Sequence, residues 1–314
     1  MSRKITIAIS GASAGVCSAP LNDAAVSAMQ KFWAAELEHF GSSRPDLIVL
    51  PECCDRFKEM TPLEYRSFCQ FRKDAMLKFF QEQAEKYHTM IAYCANWFDE
   101  AGNYRNRVQL IGRRGEICGF YDKNYPTAAE LQIAGIVPGE DTSVIDCELG
   151  RIGFAICFDL NFDTLFDKYA KKELDLLLFS SVYHGGPLQV QRSRECGCYF
   201  LGAVSGERCS VVDPQGELAA SSSNYIPRLC TTLDLDCAVV HYDNHFEKLE
   251  KLKAKYGRDV MIRDPGRVGT VLVTSKSSTV SVREMLTEFG IIENSLYIRQ
   301  AEELADQYRS RSRE

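Results

Sequence analysis

The chain has 314 residues with 43 acidic against 37 basic side chains, a formal net charge of -6, and the basic residues are scattered, which argues against a nucleic-acid-binding protein. No apolar run is long enough to span a bilayer and no signal-peptide pattern follows Met1-Ser2-Arg3-Lys4, so a cytoplasmic protein without membrane contact is expected, its 13 cysteines mostly free thiols. An apolar content of 45% supports a sizeable core, in one large α/β domain or two modest ones.

Ile5 to Ile9 reads as a first strand, and Asn22 to Phe40 as an amphipathic helix capped by Asn22 or Asp23. Leu47-Ile48-Val49-Leu50-Pro51-Glu52 reads as a buried strand ending in a carboxylate. Thr61-Pro62-Leu63-Glu64 is a helix start with the elements of a capping box, and the helix is predicted to run to about His88. Met90 to Phe98 is strand-like, Glu100 to Asn103 a turn, and Val108 to Ile111 with Ile117 to Tyr121 a hairpin closed by Gly112 to Gly115. Val144 to Cys147 and Ile152 to Ile156 flank a further turn.

Phe162 to Lys172 is predicted helical, Leu174 to Ser180 a strongly apolar strand, and Leu188 to Cys198 a helix. Phe200 to Val204, Cys209 to Val212 and Cys230 to Leu235 are later strands, with Asp213 to Gly216 as a turn. Asn244 to Tyr256 is a charged helix, Met261 to Thr274 irregular or short-stranded, and Val282 to Arg309 helical. Helices alternate with strands, yet several strand pairs are direct hairpins. Mixed sheets with helices outside fit this better than a purely parallel sheet. Residues 1–245 are read as one domain and 246–314 as a C-terminal extension, either a wrapping, oligomer-forming element or a solvated terminal helix.

Three side chains of complementary chemistry stand at strand ends, where a sheet holds the backbone rigid beside a cleft. They are Glu52, Lys123 after Gly119-Phe120-Tyr121-Asp122, and Cys157 after Ile152 to Ile156. A thiolate attacks carbonyl or nitrile carbon far better than a thiol, so a neighbouring base or cation is needed. Glu52 can take the proton and return it to a leaving nitrogen. Lys123 can stabilise an oxyanion, as can the backbone N–H of Phe158, and its charge would also favour thiolate. Each has a plainer reading: a small core cysteine, a helix-capping glutamate, a solvated lysine. His184, in Ser180-Ser181-Val182-Tyr183-His184-Gly185-Gly186, offers a cysteine–histidine pair instead, which leaves Glu52 and Lys123 without a role. The other histidines form no metal-binding pattern. His241 and His245, four apart, could share a helix face but lack a third ligand nearby, and Cys53-Cys54 and Cys196-x-Cys198 do not suit zinc.

Leu50-Pro51-Glu52, Tyr121-Asp122-Lys123 and Gly153-Phe154-Ala155-Ile156-Cys157-Phe158-Asp159, in that order, resemble the nitrilase superfamily of carbon–nitrogen hydrolases. Gly102 to Asn106 leading into the lysine strand, Arg192-Ser193-Arg194-Glu195 with Tyr199, and Asp213-Pro214-x-Gly216 are similar to further parts of that family. The resemblance covers roughly residues 4 to 240. It implies a four-layer α-β-β-α sandwich with two mixed sheets, a homodimer or higher homo-oligomer, and no cofactor or metal. It implies Glu52 as base, Lys123 as oxyanion stabiliser and Cys157 as nucleophile, with a second glutamate positioning the site. Glu130 matches that position and Glu140 is the weaker candidate; the alternative for Glu130 is a loop carboxylate. Tyr183 and His184 are expected to line the pocket, or else to be a turn with packed aromatics.

The sequence departs from the family at Asn124-Tyr125-Pro126-Thr127, where many members have an apolar residue and histidine or leucine. It departs again at Leu160, Asn161 and Phe162, where members acting on carbamoyl amino acids often carry arginine. The expected activity is hydrolysis of a small non-peptide amide through a thioester. Nitrilase or N-acyltransferase chemistry shares the same three residues, and a non-catalytic interaction protein on this scaffold is the alternative of another class.

Overall fold

A computed structural model describes residues 1–19, 21–223 and 225–311. The chain divides into two compact units, Ile5–Thr232 and Met1–Lys4 with Leu233–Glu314. The division thus falls at 232, ahead of the 245 read from the sequence.

In chain order the larger unit contains β1 (Lys4–Ser10), α1 (Asp23–Glu38), β2 (Leu47–Val49), α2 (Pro62–Arg72), α3 (Ala75–Tyr87), β3 (Met90–Phe98), β4 (Tyr104–Ile111) and β5 (Ile117–Asp122). It continues with β6 (Val144–Cys147), β7 (Gly150–Ile156), α4 (Asp163–Tyr169), β8 (Leu176–Ser181), α5 (Pro187–Cys196), β9 (Tyr199–Val204), β10 (Ser210–Val212), β11 (Leu218–Ser221) and β12 (Arg228–Asp234). They build two six-stranded sheets, ordered β12-β1-β2-β3-β4-β5 and β11-β10-β9-β8-β7-β6. Both are mixed. From β1 to β5 the pairings run parallel, parallel, antiparallel, antiparallel, and β7 to β11 repeat that series.

Burial explains the layering. Ile48, Leu50, Ile91 and Tyr93 of the first sheet pack with Met29, Trp33, Phe68 and Phe80 of the helices. Ala155, Leu177, Phe179 and Phe200 of the second pack with Leu165, Phe166 and Tyr169. Strand alternation turns Ile7, Ile9, Leu47 and Val49 to the other face, where they are equally buried, as are Ile152, Phe154, Leu176 and Leu178. Tyr121 and Phe154 stack across the two sheets at 6.3 Å. The result is a four-layer α-β-β-α sandwich. Its central strands read as continuous apolar runs because both faces are covered.

Caps set the helix boundaries. Asn22 accepts from Ala25 N, and Thr61 with Glu64 forms the reciprocal capping box its sequence predicts. The single helix expected from Thr61 to His88 is instead two. Lys73, at φ 48, breaks it, and the buried Arg72 guanidinium donates to Lys73 O (2.7 Å) and Asn96 O (2.8 Å). Arg72 also ion-pairs with the wholly buried Asp55 at 2.7 Å, and Asp55 accepts from Tyr93 Oη (2.7 Å) and from Tyr65 Oη.

The smaller unit holds β13 (Cys237–His241), α6 (Phe246–Tyr256), β14 (Val260–Arg263), β15 (Thr270–Ser275), α7 (Val282–Glu288) and α8 (Asn294–Arg311). Its antiparallel sheet runs β13-β15-β14 around Val240, Leu252, Val271 and Met285. The stretch 261–274 is therefore two strands and a loop. The helix predicted over Val282 to Arg309 breaks at Gly290, at φ 58. His241 ends a strand, so it and His245 share no helix face; His245 Nδ1 lies 3.0 Å from His241 O. No helix among the described residues is long and apolar enough to cross a membrane.

Removing Asp55 leaves Arg72 charged and dry. Asp55→Ala is expected to destabilise the protein by about 3–5 kcal/mol, read as a lowered urea midpoint. A loss under about 1 kcal/mol would show that water reaches Arg72.

Candidate active site

Glu52 sits on a bulge fixed at both ends. Leu50 N donates to Ala92 O (3.1 Å) and Cys54 N to Cys94 O (3.0 Å), both on β3. Between those anchors the chain loops out through Cys53, whose φ of 50 is left-handed. Ser180 Oγ donates to Leu50 O (2.8 Å), tying β8 to the same bend. The Glu52 carboxylate is 4% exposed. Its Oε1 accepts from Asn106 Nδ2 (2.8 Å) and Lys123 Nζ (2.9 Å), and its Oε2 from Val182 N (3.2 Å).

Lys123 follows β5. Its N–H donates to Asn106 O and its carbonyl accepts from Gly139 N, each at 2.9 Å. A Cβ at Gly139 would come within 2.3 Å of Asp122 O, so the chain passes here only as glycine. The ammonium is 1% exposed and also donates to Glu130 Oε1 (2.8 Å) and Oε2 (2.7 Å). Glu130 opens a π-type turn, Glu130–Ala134, and is held by Thr127 N (2.8 Å) and Asn106 Nδ2 (3.0 Å). Burial opposes the charge on Lys123, but Glu52, then the Cys157 sulfur and Glu130, outweigh it and hold the pKa well above the ordinary range. For Glu130, burial would raise the pKa; Lys123 reverses that and lowers it.

Cys157 stands where β7 passes into a 3₁₀ turn, at φ 49 and 7% exposure. The turn is held by Asp159, which is wholly buried and accepts from Ile156 N (2.9 Å), Tyr125 N (2.8 Å) and Tyr121 Oη (2.8 Å). Burial raises Asp159 to about 6 against the pull of those donors. One carboxylate thus joins the cysteine turn to β5 and to the segment after Lys123. The groups acting on the thiol are Glu52, Lys123 and Ser181, and burial together with Glu52 pushes it up to about 12. The lysine does not produce a thiolate as its charge alone suggests, because burial, and then Glu52, outweigh its pull on the thiol.

The structure therefore brings Glu52, Lys123, Glu130 and Cys157 to one place. Glu140 is exposed and does not join them. Phe158 follows the thiol in the 3₁₀ turn, so its N–H is the next backbone donor along it. Tyr183 is half-buried and close enough for Cys157 and Lys123 to act on its phenol. His184 is not the thiol's partner: its Nδ1 accepts from Gly186 N (3.2 Å) and its carbonyl from Gln189 Nε2, within its own loop. Asn106, Asp159 and Ser181 went unread in the sequence. The usable signal was a polar side chain inside an otherwise apolar strand, as with Asn96 in β3; its partner across the pair, Asn106 of β4, stands between Arg105 and Arg107 and gave no such signal.

Residues 15–237 match the carbon–nitrogen hydrolase family model. The chain is 24% identical over 242 residues to the nitrilase and fragile histidine triad fusion protein NitFhit of Caenorhabditis elegans, covering 66% of this chain and 53% of that protein. It thus spans about half the length of that relative. It is 22% identical over 240 residues to human omega-amidase NIT2, covering 66% of this chain and 79% of the relative. A solved structure of a mutant of the Nesterenkonia AN1 amidase, of the nitrilase superfamily, superimposes with a TM-score of 0.62 at 17% identity, over 73% of this chain and 90% of the other. The chain belongs to the carbon–nitrogen hydrolase family.

Proposed function

We propose that the protein is an amidase acting on a small non-peptide amide, with Cys157 as nucleophile, Glu52 as general base and acid, Lys123 as oxyanion stabiliser and Glu130 as the residue that positions Lys123. The observation that carries this reading is the buried Lys123 ammonium held between Glu52 (2.9 Å) and Glu130 (2.7 Å) beside the Cys157 thiol.

In the first step Cys157 Sγ attacks the amide carbon while its proton passes to Glu52. The carbonyl π electrons move to oxygen. The oxyanion is met by Lys123 Nζ and the Phe158 N–H. Lys123 has three N–H donors and makes three contacts, two of them to Glu130. One N–H can be shared between the Glu130 oxygens, which releases another for the oxyanion. As Glu52 gains its proton it loses its charge, and its hold on Lys123 weakens as the oxyanion forms.

Collapse of the tetrahedral species breaks the C–N bond, and the nitrogen leaves as ammonia or amine with the proton from Glu52. The thioester is then attacked by water, whose proton passes to Glu52. The second tetrahedral species expels sulfur, which recovers that proton as the acid departs. Across the first step the negative charge leaves Glu52 and appears on the oxyanion, with Lys123 beside both.

Cys157→Ala is expected to lower turnover of a small-amide panel by about 10⁴-fold or more with the unfolding transition preserved. Glu52→Gln should lose about 10²–10⁴-fold, measured as ammonia release; near-wild-type activity would reject its role as base. Ammonia from an amide but not from the matching nitrile separates this reading from a nitrilase, and transfer to an added amine in place of water would mark an acyltransferase.

The raised thiol pKa gives a pH test. With the sulfur pushed up to about 12, the thiol is protonated at neutral pH and attack needs Glu52. From pH 7 to 9, kcat/KM should therefore lack the roughly tenfold rise per unit that a freely titrating thiolate produces. Observing that rise would reject general-base delivery.

A further inference from the structure

The loop after β8 presents a hydrogen-bond donor whose proton no described residue accepts. Tyr183 is fixed at its backbone: its N–H donates to Ser181 Oγ (3.0 Å), and that hydroxyl donates to Tyr183 O (2.7 Å). Its ring packs edge-on against Phe179, 6.4 Å between centroids. At the tip, Asn161 Nδ2 donates to the phenol oxygen (3.1 Å) and also to Phe158 O (3.0 Å). The phenol oxygen is thus an acceptor from a residue of the cysteine turn, and its own O–H remains uncommitted. The Asn161 bridge ties the hydroxyl to Phe158, the residue after Cys157; burial raises the phenol pKa, and Cys157, Lys123 and Arg192 also act on it.

The charge around this hydroxyl is already settled. Lys123 is matched by Glu52 and Glu130. Arg192 is matched by Asp163 and Glu195, both at 2.7 Å. Two carboxylates against one ammonium leave the reacting cluster formally negative. An anion placed beside Tyr183 would face that excess with both nearby cations paired, whereas a neutral oxygen acceptor would not. For a primary amide the leaving group is ammonia, so the acceptor must lie on the acyl side.

Resting on the amidase reading, we propose that Tyr183 is a specificity-determining residue whose O–H, aimed by Asn161, donates to a neutral oxygen near the scissile carbonyl. The substrate class is then uncharged amides carrying an ether, hydroxyl or second amide oxygen on the acyl chain.

The test compares substrates that carry such an oxygen with chain-matched ones that lack it. Methoxyacetamide is read against butyramide and succinamide against valeramide, as ratios of kcat/KM, in wild type, Tyr183→Phe and Asn161→Ala. Each ratio is taken within one protein, so any loss of folded enzyme cancels, and intrinsic reactivity cancels when the ratio is compared between proteins. Tyr183→Phe should lower at least one ratio by about five- to tenfold, and Asn161→Ala should shift it the same way. A shift below about threefold in both ratios for Tyr183→Phe overturns the inference. So does turnover of succinamate equal to or better than that of succinamide in wild type. A wild type inactive on every amide removes the amidase reading and this inference together, whereas an active wild type with unmoved ratios removes this inference alone.

Discussion

The site is organised by one cation without water. Lys123 is 1% exposed, and an ammonium in such a place is expensive unless opposite charge stands against it. Two carboxylates do so, one from the bulge after β2 and one from the π-type turn after β5. Asn106 donates to both of them, so the two anions are held apart by an amide while the lysine is held between them. None of the four can leave without exposing the charge of another. The geometry needed for the proposed chemistry is therefore also the one that keeps these buried charges paired in the resting protein.

Burial and that arrangement together decide the protonation of the Cys157 thiol. A lone lysine would draw a thiol toward thiolate, but here burial first, and Glu52 second, outweigh it. The thiol keeps its proton, and in the proposed reaction attack and proton transfer to Glu52 are coupled. The transition state then requires no new charge, only the movement of an existing one past a fixed ammonium. Preorganisation of this kind acts in the barrier because nothing has to be reoriented when the oxyanion forms.

The strand-end positions of Glu52 and Cys157 could be read in the sequence because buried strands of an α/β sandwich are short, apolar and sharply ended, and Lys123 because the hairpin turn before β5 marks that strand. Capping at Asn22 and Thr61 was legible for the same local reason. Helix breaks at Lys73 and Gly290 were not. The first depends on Arg72 reaching Asp55 and Asn96, a tertiary contact that no local pattern reports. Of the sheet of β13, β14 and β15 only the stretch Met261 to Thr274 was read, as irregular or short-stranded, since the strands CAVVH, VMIR and TVLVTS are each only four to six residues long. Asp159 lies two residues beyond the cysteine and still escaped notice. A carboxylate in a turn looks like solvated polarity until its three donors, two of them from β5 and the segment beyond it, are seen.

Two of the reactive side chains stand at or beside backbone that L-residues seldom adopt: Cys157 itself at φ 49, and Cys53 next to Glu52 at φ 50. Each such residue costs of order 1–3 kcal/mol and persists only where its surroundings over-determine it. Around Cys53 they do, through the paired anchors on β3, the indole of Trp33 donating to Cys54 O (2.9 Å) and the Asp55 network. Around Cys157 they do through Asp159 and through Arg192, which donates twice to Leu160 O at 3.1 Å. Both turns are thus gripped from one side by a buried arginine, Arg72 through Asp55 and Arg192 directly, and from the other by a sheet. The sharp bends put sulfur and carboxylate beyond the strand ends, where each can meet a substrate, while the sheets fix the distance between them.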